Sequence, residues 1–228
     1  MKERSLIWDF PVRIFHWALA ASFAGAWLTA ESERWRDIHI AFGYTMAGLI
    51  LFRLVWGIVG TRHARFSDFV RGPTAVWNYL RSLLTPRPEA HAGHNPVGAL
   101  AVIALLALGL VTAASGWFIE ADLGGDWLEE AHEVLASLML GIVGVHVAGV
   151  LFSSRMHHEN LIAGMITGRK PGHPGEGIRN PRPIIGLLLL ATLAGFWGWT
   201  LSNRLQASTP AAVMDKNPAA NQHRDADD

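Results

Sequence analysis

Residues 128–152 read LEEAHEVLASLMLGIVGVHVAGVLF, and this run carries no charged side chain after Glu133. A membrane-spanning α-helix needs about 20 predominantly apolar residues, so the run is long enough to cross a bilayer. Its two histidines, His132 and His146, are 14 residues apart. Since 14 residues make almost four helical turns, both imidazoles lie on one face, about 21 Å apart along the helix axis. One helix thus presents two ionisable rings at two depths.

Four other apolar runs also predict membrane-spanning helices, and these are residues 12–28, 38–59, 97–119 and 184–201. Asp9 lies two residues before Pro11 and Asn95 directly before Pro96, a pattern typical of helix starts. We therefore predict an all-α membrane protein, with a four-helix transmembrane bundle followed by a fifth, C-terminal transmembrane helix. The predicted organisation is a membrane domain over residues 1–170, a linker and the fifth helix over 171–203, and a disordered polar tail over 204–228.

Composition excludes several classes of protein. The chain has 19 Lys and Arg against 19 Asp and Glu, a net charge of zero, which gives no support to nucleic-acid binding. It contains no cysteine. Disulfide scaffolds, cysteine zinc sites, thiolate-held iron–sulfur clusters and covalently attached c-type haem are therefore excluded.

The distribution of Lys and Arg predicts the orientation in the membrane. With the N-terminus in the cytoplasm, 14 of these residues lie inside and five outside, as the positive-inside rule requires. The loop over residues 120–130 has only acidic charges and then lies outside. We predict a multi-pass membrane protein with a cytoplasmic N-terminus and a C-terminal tail on the outer side.

Four of the 11 histidines lie within or at the edge of apolar runs, where ionisable groups are costly and indicate function. In the predicted topology His16 and His146 lie at one depth near the cytoplasmic side, and we call them the inner pair. His39 and His132 lie at one depth near the outer side, and we call them the outer pair. Each pair joins two different helices.

Two imidazole pairs at two depths are typical of two six-coordinate haems in the core of a helix bundle. The sequence thus predicts haem b, two per chain, with the four histidines as iron ligands. A bare metal ion is an alternative at the outer pair only, where Glu129 and Glu133 flank His132. A histidine-based proton relay is another, although the third and fifth runs contain no acid, His or Lys to extend it.

Two arginines are candidates for haem propionate contacts. Arg53 is 14 residues after His39 and therefore lies on the same helix face, at the depth of the inner pair. Arg13 is three residues before His16. Either guanidinium could pair bidentately with a propionate. The alternative is that both extend to the membrane interface as topology signals.

The chain resembles the bacterial cytochrome b561 and nickel–iron hydrogenase b-type cytochrome subunits over roughly residues 5–170. The resemblance rests on short motifs in a fixed order: Arg13-Ile-Phe-His16-Trp17, His39 with Gly43, Arg53-Leu-Val-Trp56-Gly57, His132 with His146, Glu159-Asn160-Leu161, and Gly168-Arg169-Lys170. The resemblance implies a di-haem b-type cytochrome that passes electrons between a quinone pool and a redox partner. It also implies the same two histidine pairings. The family typically has four spans, so the fifth run departs from it.

The leading hypothesis is an electron-transfer subunit rather than a self-contained enzyme. Its partner would be a periplasmic c-type cytochrome or a hydrogenase-like catalytic subunit. One alternative is a stand-alone superoxide:quinone oxidoreductase, for which Arg34 and Arg36 supply positive charge near the outer pair. A second alternative is a haem-free membrane anchor or proton-coupled transporter.

Overall fold

A computed structural model describes residues 4–85, 88–171 and 174–207. The predicted tail is helical up to Ala207, and its remaining residues 208–228 lie outside the described part. Contacts divide the chain into two compact units, Met1–Leu189 and Leu190–Asp228. The elements, in chain order, are β1 (Arg4–Leu6), α1 (Phe10–Thr29), α2 (Arg36–Val59), α3 (Phe66–Phe69), α4 (Pro73–Ser82), α5 (Pro96–Glu120), α6 (Asp126–Met156), α7 (Leu161–Thr167), β2 (Arg169–Pro171) and α8 (Pro183–Ala207).

Long helices form where the apolar runs predict them, and the predicted caps are confirmed. The Asp9 carboxylate accepts a hydrogen bond from Val12 N at 2.8 Å and begins α1. The Asn95 side chain accepts one from Gly98 N at 2.7 Å and begins α5. These bonds satisfy backbone N–H groups that have no partner within the helix.

Four helical segments of the described chain are long and apolar enough to cross a membrane, and these are Glu33–Val59, Pro96–Glu120, Asp126–Met156 and Pro183–Gln206. The helix α1 is not among them. It has 20 residues, but Pro11, Arg13 and His16 lower its mean hydropathy. The first predicted span therefore stays a prediction.

The four long helices before α8 pack in sequence. The helix α1 contacts α2, α2 contacts α5, and α5 contacts α6. Most side chains of α6 are exposed, and its buried residues are Leu128 and Met139. Met139 lies seven residues from each histidine of α6 and is 2% exposed. The histidine face of α6 is therefore the face that turns toward the other helices.

A two-stranded antiparallel sheet departs from the all-α prediction. Strand β1 pairs with β2, with Ser5 opposite Lys170. Just after β1, Ile7 N and Trp8 N both donate to Gly168 O, at 2.8 and 3.0 Å. Gly168 has φ of 79°, and a Cβ there would lie 2.7 Å from Trp8 O, so a side chain is excluded. Strands of three residues are too short to produce an alternating pattern in the sequence.

The most buried apolar cluster lies where α1 begins and α2 ends. It contains Ile7, Trp8, Val12, Trp56, Ala64 and Ala92. Asp9 lies beside this cluster and is 1% exposed. Its second carboxylate oxygen accepts hydrogen bonds from Trp56 Nε1 at 3.0 Å and from Thr61 Oγ1 at 2.6 Å. One buried carboxylate thus connects the start of α1 to the end of α2.

His94 packs next to the same cluster. Its ring centroid is 4.7 Å from that of Trp8 and 4.5 Å from that of Phe69. Burial, and after it the positive charge of Arg53, lowers the pKa of His94 to about 3. Because the folded protein keeps this imidazole neutral, the ring packs as an aromatic side chain at physiological pH.

We expect Asp9→Ala to destabilise the fold by about 3–5 kcal/mol, since it leaves Trp56 Nε1 and Thr61 Oγ1 without an acceptor and removes the counter-charge near Arg53. Thermal unfolding in detergent, followed by circular dichroism, measures the change. Thr61→Val is the matched control, because it removes one of these bonds and should cost about 1 kcal/mol. Equal losses in the two variants would contradict the bridging role of Asp9.

His94 should make stability depend on pH. Its pKa is about 3 in the folded protein against 6.5 without the protein environment, so only the unfolded chain takes up this proton between these values. The contribution of the neutral His94 ring to the free energy of unfolding is complete above pH 6.5 and is lost as the pH falls toward 3. Unfolding midpoints across this range should vary less steeply in His94→Gln than in the parent. The exposed His158, replaced by Asn, is the control and should leave the slope unchanged.

Candidate functional site

The outer pair joins α2 to α6. The ring centroids of His39 and His132 are 6.2 Å apart, and the rings are inclined by 72°. Two imidazoles on opposite sides of one metal ion, each about 2.0 Å from it through a nitrogen, have centroids about 6 Å apart. The observed separation would allow both imidazoles to hold a single iron.

Hydrogen bonds determine which ring nitrogen of the outer pair carries the proton. His39 Nδ1 lies 2.8 Å from Ala26 O of α1, and a carbonyl oxygen can only accept, so Nδ1 donates. His132 Nδ1 lies 2.9 Å from Ser115 Oγ of α5. The Ser115 hydroxyl donates to Thr112 O at 2.8 Å, and Thr112 O is also a hydrogen-bond partner of His132, so we assign the proton of His132 to Nδ1. Both Nε2 atoms keep a lone pair, the form in which imidazole binds a metal.

The inner pair joins α1 to α6. His16 and His146 are close enough for their charges to interact. The His16 ring meets Trp17 edge-on, with centroids 5.0 Å apart. Its Nδ1 atom is buried and has no hydrogen-bond partner within the described residues. The outer pair is thus in ring contact, the inner pair interacts through charge, and the hydrogen bonding of the rings differs between the two pairs.

Arg53 of α2 is fully enclosed near the inner pair. It is 2% exposed, so protein atoms and not solvent surround its guanidinium. Its guanidinium carbon lies 4.9 Å from the ring centroid of Phe66 and 5.9 Å from that of Phe69. Its Nη1 atom is buried with no hydrogen-bond partner in the described part of the chain. A buried cation with an unused donor is suited to an anionic ligand group.

Arg13 of α1 has a similar character. Its guanidinium carbon lies 5.2 Å from the Phe10 ring centroid, and it interacts electrostatically with Asp9. Its Nε atom is buried and, among the residues described, unpaired. Together with Arg53 it supplies two donors near the inner histidines. Both are chemically suited to the carboxylates of a haem, so the residues present fit this cofactor.

Buried nitrogen atoms without a partner concentrate toward the inner pair and the loop beside it. Within residues 4–85, 88–171 and 174–207 they are Arg13 Nε, His16 Nδ1, Arg53 Nη1, His91 Nδ1 and His94 Nδ1. The charge of His94 interacts with those of Arg53, His146 and His16. Nothing local in the sequence signals that Trp8 and Phe69 enclose His94.

A small polar cavity of about 40 Å³ lies near the C-terminal end of α6. Its lining residues include Tyr79, Glu89, His91, His157, Glu159 and Lys170. Lys170 is 5% exposed, lies 3.2 Å from the Glu159 carboxylate and donates to His91 O at 2.9 Å. Burial also lowers the pKa of His91. The ion pair explains how Lys170 is accommodated away from water.

The bare-metal alternative at the outer pair lacks ligands. In the described part of the chain no three His, Asp or Glu side chains come together in an arrangement that could hold a metal ion. Glu129 and Glu133 thus do not join His39 and His132. Two imidazoles supply only half of the ligands of a tetrahedral metal ion. A six-coordinate haem iron needs no further protein ligand, since the porphyrin provides its other four donors.

Comparison with known proteins gives relatives among b-type cytochromes. The chain is 30% identical over 151 residues to a probable Ni/Fe-hydrogenase B-type cytochrome subunit of Azotobacter chroococcum mcd 1, covering 54% of this chain and 63% of the relative. It is 31% identical over 147 residues to the protein of the same name from Azotobacter vinelandii, covering 53% and 61%. A third, from Rhizobium leguminosarum bv. viciae, is 24% identical over 216 residues, covering 74% and 90%.

The chain spans about three fifths of the length of the first two relatives. No solved structure matches it. The sequence model of prokaryotic cytochrome b561 matches residues 7–168, which include both histidine pairs. With its four apolar helices, the chain is a multi-pass membrane protein. It belongs to the prokaryotic cytochrome b561 family, whose b-type character implies haem b as the cofactor.

Proposed function

We propose that this protein is a di-haem b-type cytochrome that transfers electrons between a quinone pool and a redox partner on the periplasmic side. The outer pair carries the proposal. Its centroid separation of 6.2 Å and its two Nδ1–H groups, each with an acceptor, prepare both Nε2 atoms to ligate one iron.

The four histidines would hold two haems, with His39 and His132 on one iron and His16 and His146 on the other. When bound, haem supplies reversible one-electron exchange. The chain contributes ligation, burial and spacing. Because His132 and His146 lie on one helix, α6 alone sets the distance between the two levels at about 21 Å along its axis.

Arg13 and Arg53 would bind the propionates of the inner haem. The unused donors Nε of Arg13 and Nη1 of Arg53 support this role. A propionate would also compensate the buried positive charge of Arg53, which has Asp9 as an electrostatic partner. The two arginines would thus orient the haem as well as neutralise its carboxylates.

The proposal includes α1 as a membrane span, which completes a four-helix bundle with α2, α5 and α6 around the haems. Pairing of His16 with His146 requires α1 at the depth of α6, and its 20 residues extend about 30 Å. The domain boundaries proposed are 1–170 for the di-haem bundle, 171–203 for the linker and fifth span, and 204–228 for a polar tail.

The orientation proposed has the N-terminus in the cytoplasm of a bacterium and the C-terminus in the periplasm. The excess of Lys and Arg in the segments assigned to the inside supports it. The inner pair then lies toward the cytoplasmic side of the inner membrane. The outer pair and the acidic start of α6 face the periplasmic side.

The names of the relatives favour a catalytic redox subunit, such as a hydrogenase, as the partner. A periplasmic c-type cytochrome is the other candidate of the same chemistry. In both cases the chain acts as an electron-transfer subunit, with quinone exchanging electrons at the inner haem. The stand-alone superoxide:quinone activity would depend on the positive charges of Arg34 and Arg36 near the outer pair. It loses support because Arg36 forms an ion pair with Glu120 at 2.8 Å, which neutralises one of these charges.

Replacing any one of the four histidines by Ala should remove one haem and leave the other, because the iron at that level would lose one of its two imidazole ligands. Haem quantitation and redox difference spectra of the purified protein measure this. We expect about two haems b in the parent. His16→Ala and His146→Ala should remove the same spectral component, and His39→Ala and His132→Ala the other.

His158→Asn is the control for this series, since His158 is exposed and has φ of 51°, which Asn tolerates. It should keep both haems. Loss of different components by His16→Ala and His146→Ala would refute the pairing. A parent protein with no Soret band, after expression with ample haem, would instead support the haem-free anchor or transporter.

A further inference from the structure

The two histidine pairs differ in the hydrogen bonding of the imidazole Nδ1 atom. In the outer pair, His39 Nδ1 donates to Ala26 O and His132 Nδ1 donates to Ser115 Oγ. In the inner pair, His16 Nδ1 is buried and has no acceptor among the described residues. The outer ligands are therefore supported by hydrogen bonds on both rings.

This difference affects the electronic character of the ligands. A hydrogen bond from the outer N–H of an imidazole raises the basicity of its metal-binding nitrogen. A more basic nitrogen stabilises ferric over ferrous iron, so it lowers the reduction potential. On this ground the iron held by the outer pair is harder to reduce than the iron held by the inner pair.

Charges near the two pairs act in the same direction, although Asp9 offsets part of the charge of Arg53 at the inner level and Arg36 at the outer level is paired with Glu120. Near the inner pair, Arg53 is a buried cation, and Arg13 lies one turn from His16. Positive charge favours the state with one more electron. Near the outer pair, Glu133 interacts with His132, and Asp126 and Glu129 lie in the first turn of α6. These carboxylates disfavour an added electron.

Ser115 is the side chain that this asymmetry depends on, because the other hydrogen-bond partners of the outer rings, Ala26 O for His39 and Thr112 O for His132, belong to the backbone. The Ser115 hydroxyl is 6% exposed, and its own proton is committed to Thr112 O. It can therefore only accept from His132. Gly116 leaves room for the ring, since a Cβ there would lie 3.1 Å from His132 Cε1.

We propose that Ser115 is a positioning residue that holds His132 in its Nδ1–H tautomer and keeps the outer iron at a lower midpoint potential than the inner iron. This inference rests on the proposed function. In the step that follows, one electron is lost by a ferrous outer iron and gained by a ferric inner iron, with no proton transferred. The redox partner supplies the electron and the quinone removes it. Because the outer midpoint is the lower one, transfer from the outer to the inner level is downhill.

The test is a potentiometric titration of the haem spectrum in purified protein. The variants His132→Ala and His16→Ala, each lacking one component, assign the two midpoints to the outer and inner levels. In the parent we expect the outer midpoint to be the lower one. In Ser115→Ala the outer midpoint should rise while the inner one stays. A tenfold loss of preference for ferric iron corresponds to about 59 mV for one electron.

Two further variants separate this role from general packing. Ser115→Thr keeps a hydroxyl and should keep the parent midpoint. Thr45→Val removes a buried hydroxyl that donates to Ala41 O of its own helix, and it should change neither midpoint. Loss of the outer haem from Ser115→Ala but not from Ser115→Thr would also support the role of the hydroxyl.

The inference is overturned if the parent outer midpoint equals or exceeds the inner one. It is likewise overturned if Ser115→Ala keeps both haems with an unchanged or lower outer midpoint, or if Ser115→Ala and Ser115→Thr both lose the outer haem. Each of these outcomes leaves the parent with two haems and so leaves the proposed function intact. A parent that binds no haem overturns the proposed function itself.

Discussion

The spacing of His132 and His146 on α6 constrains the rest of the molecule. Fourteen residues return almost to the same helix face, so both imidazoles project to one side at two depths. A buried ionisable ring in a membrane needs a partner at its own depth. The helix α1 brings His16 toward His146, and α2 brings His39 to within 6.2 Å of His132 between ring centroids.

Polar groups are satisfied differently at the two levels. Around the outer pair, the acceptors Ala26 O and Ser115 Oγ come from α1 and α5, so four helices contribute to one pair of rings. Around the inner pair, buried donors of Arg13 and Arg53 lack partners among the described residues. An iron porphyrin with its carboxylates would use such donors. The two levels therefore differ in hydrogen bonding and in local charge.

The inner level is supported by the compact cluster where α1 begins and α2 ends. Asp9 begins α1 and accepts hydrogen bonds from Trp56 and Thr61 at the end of α2. Its carboxylate is also the counter-charge for Arg53. The same residue thus holds two helix ends together and offsets the cost of a buried arginine, which keeps that cation available beside the inner histidines.

Apolar runs, caps and histidine spacing are local properties of the chain, so the sequence alone determined the long helices, the start of α1 and α5, and the position of His132 and His146 on one face of α6. Tertiary structure decided the contacts between residues that are far apart in the chain. Ser115 lies 17 residues from His132, and Arg53 meets Phe66 and Phe69 across a turn. The pairing of β1 with β2 and the enclosure of His94 by Trp8 and Phe69 likewise have no periodic signal. Such contacts depend on how the helices pack against one another, and packing is a property of the whole fold that no single segment encodes.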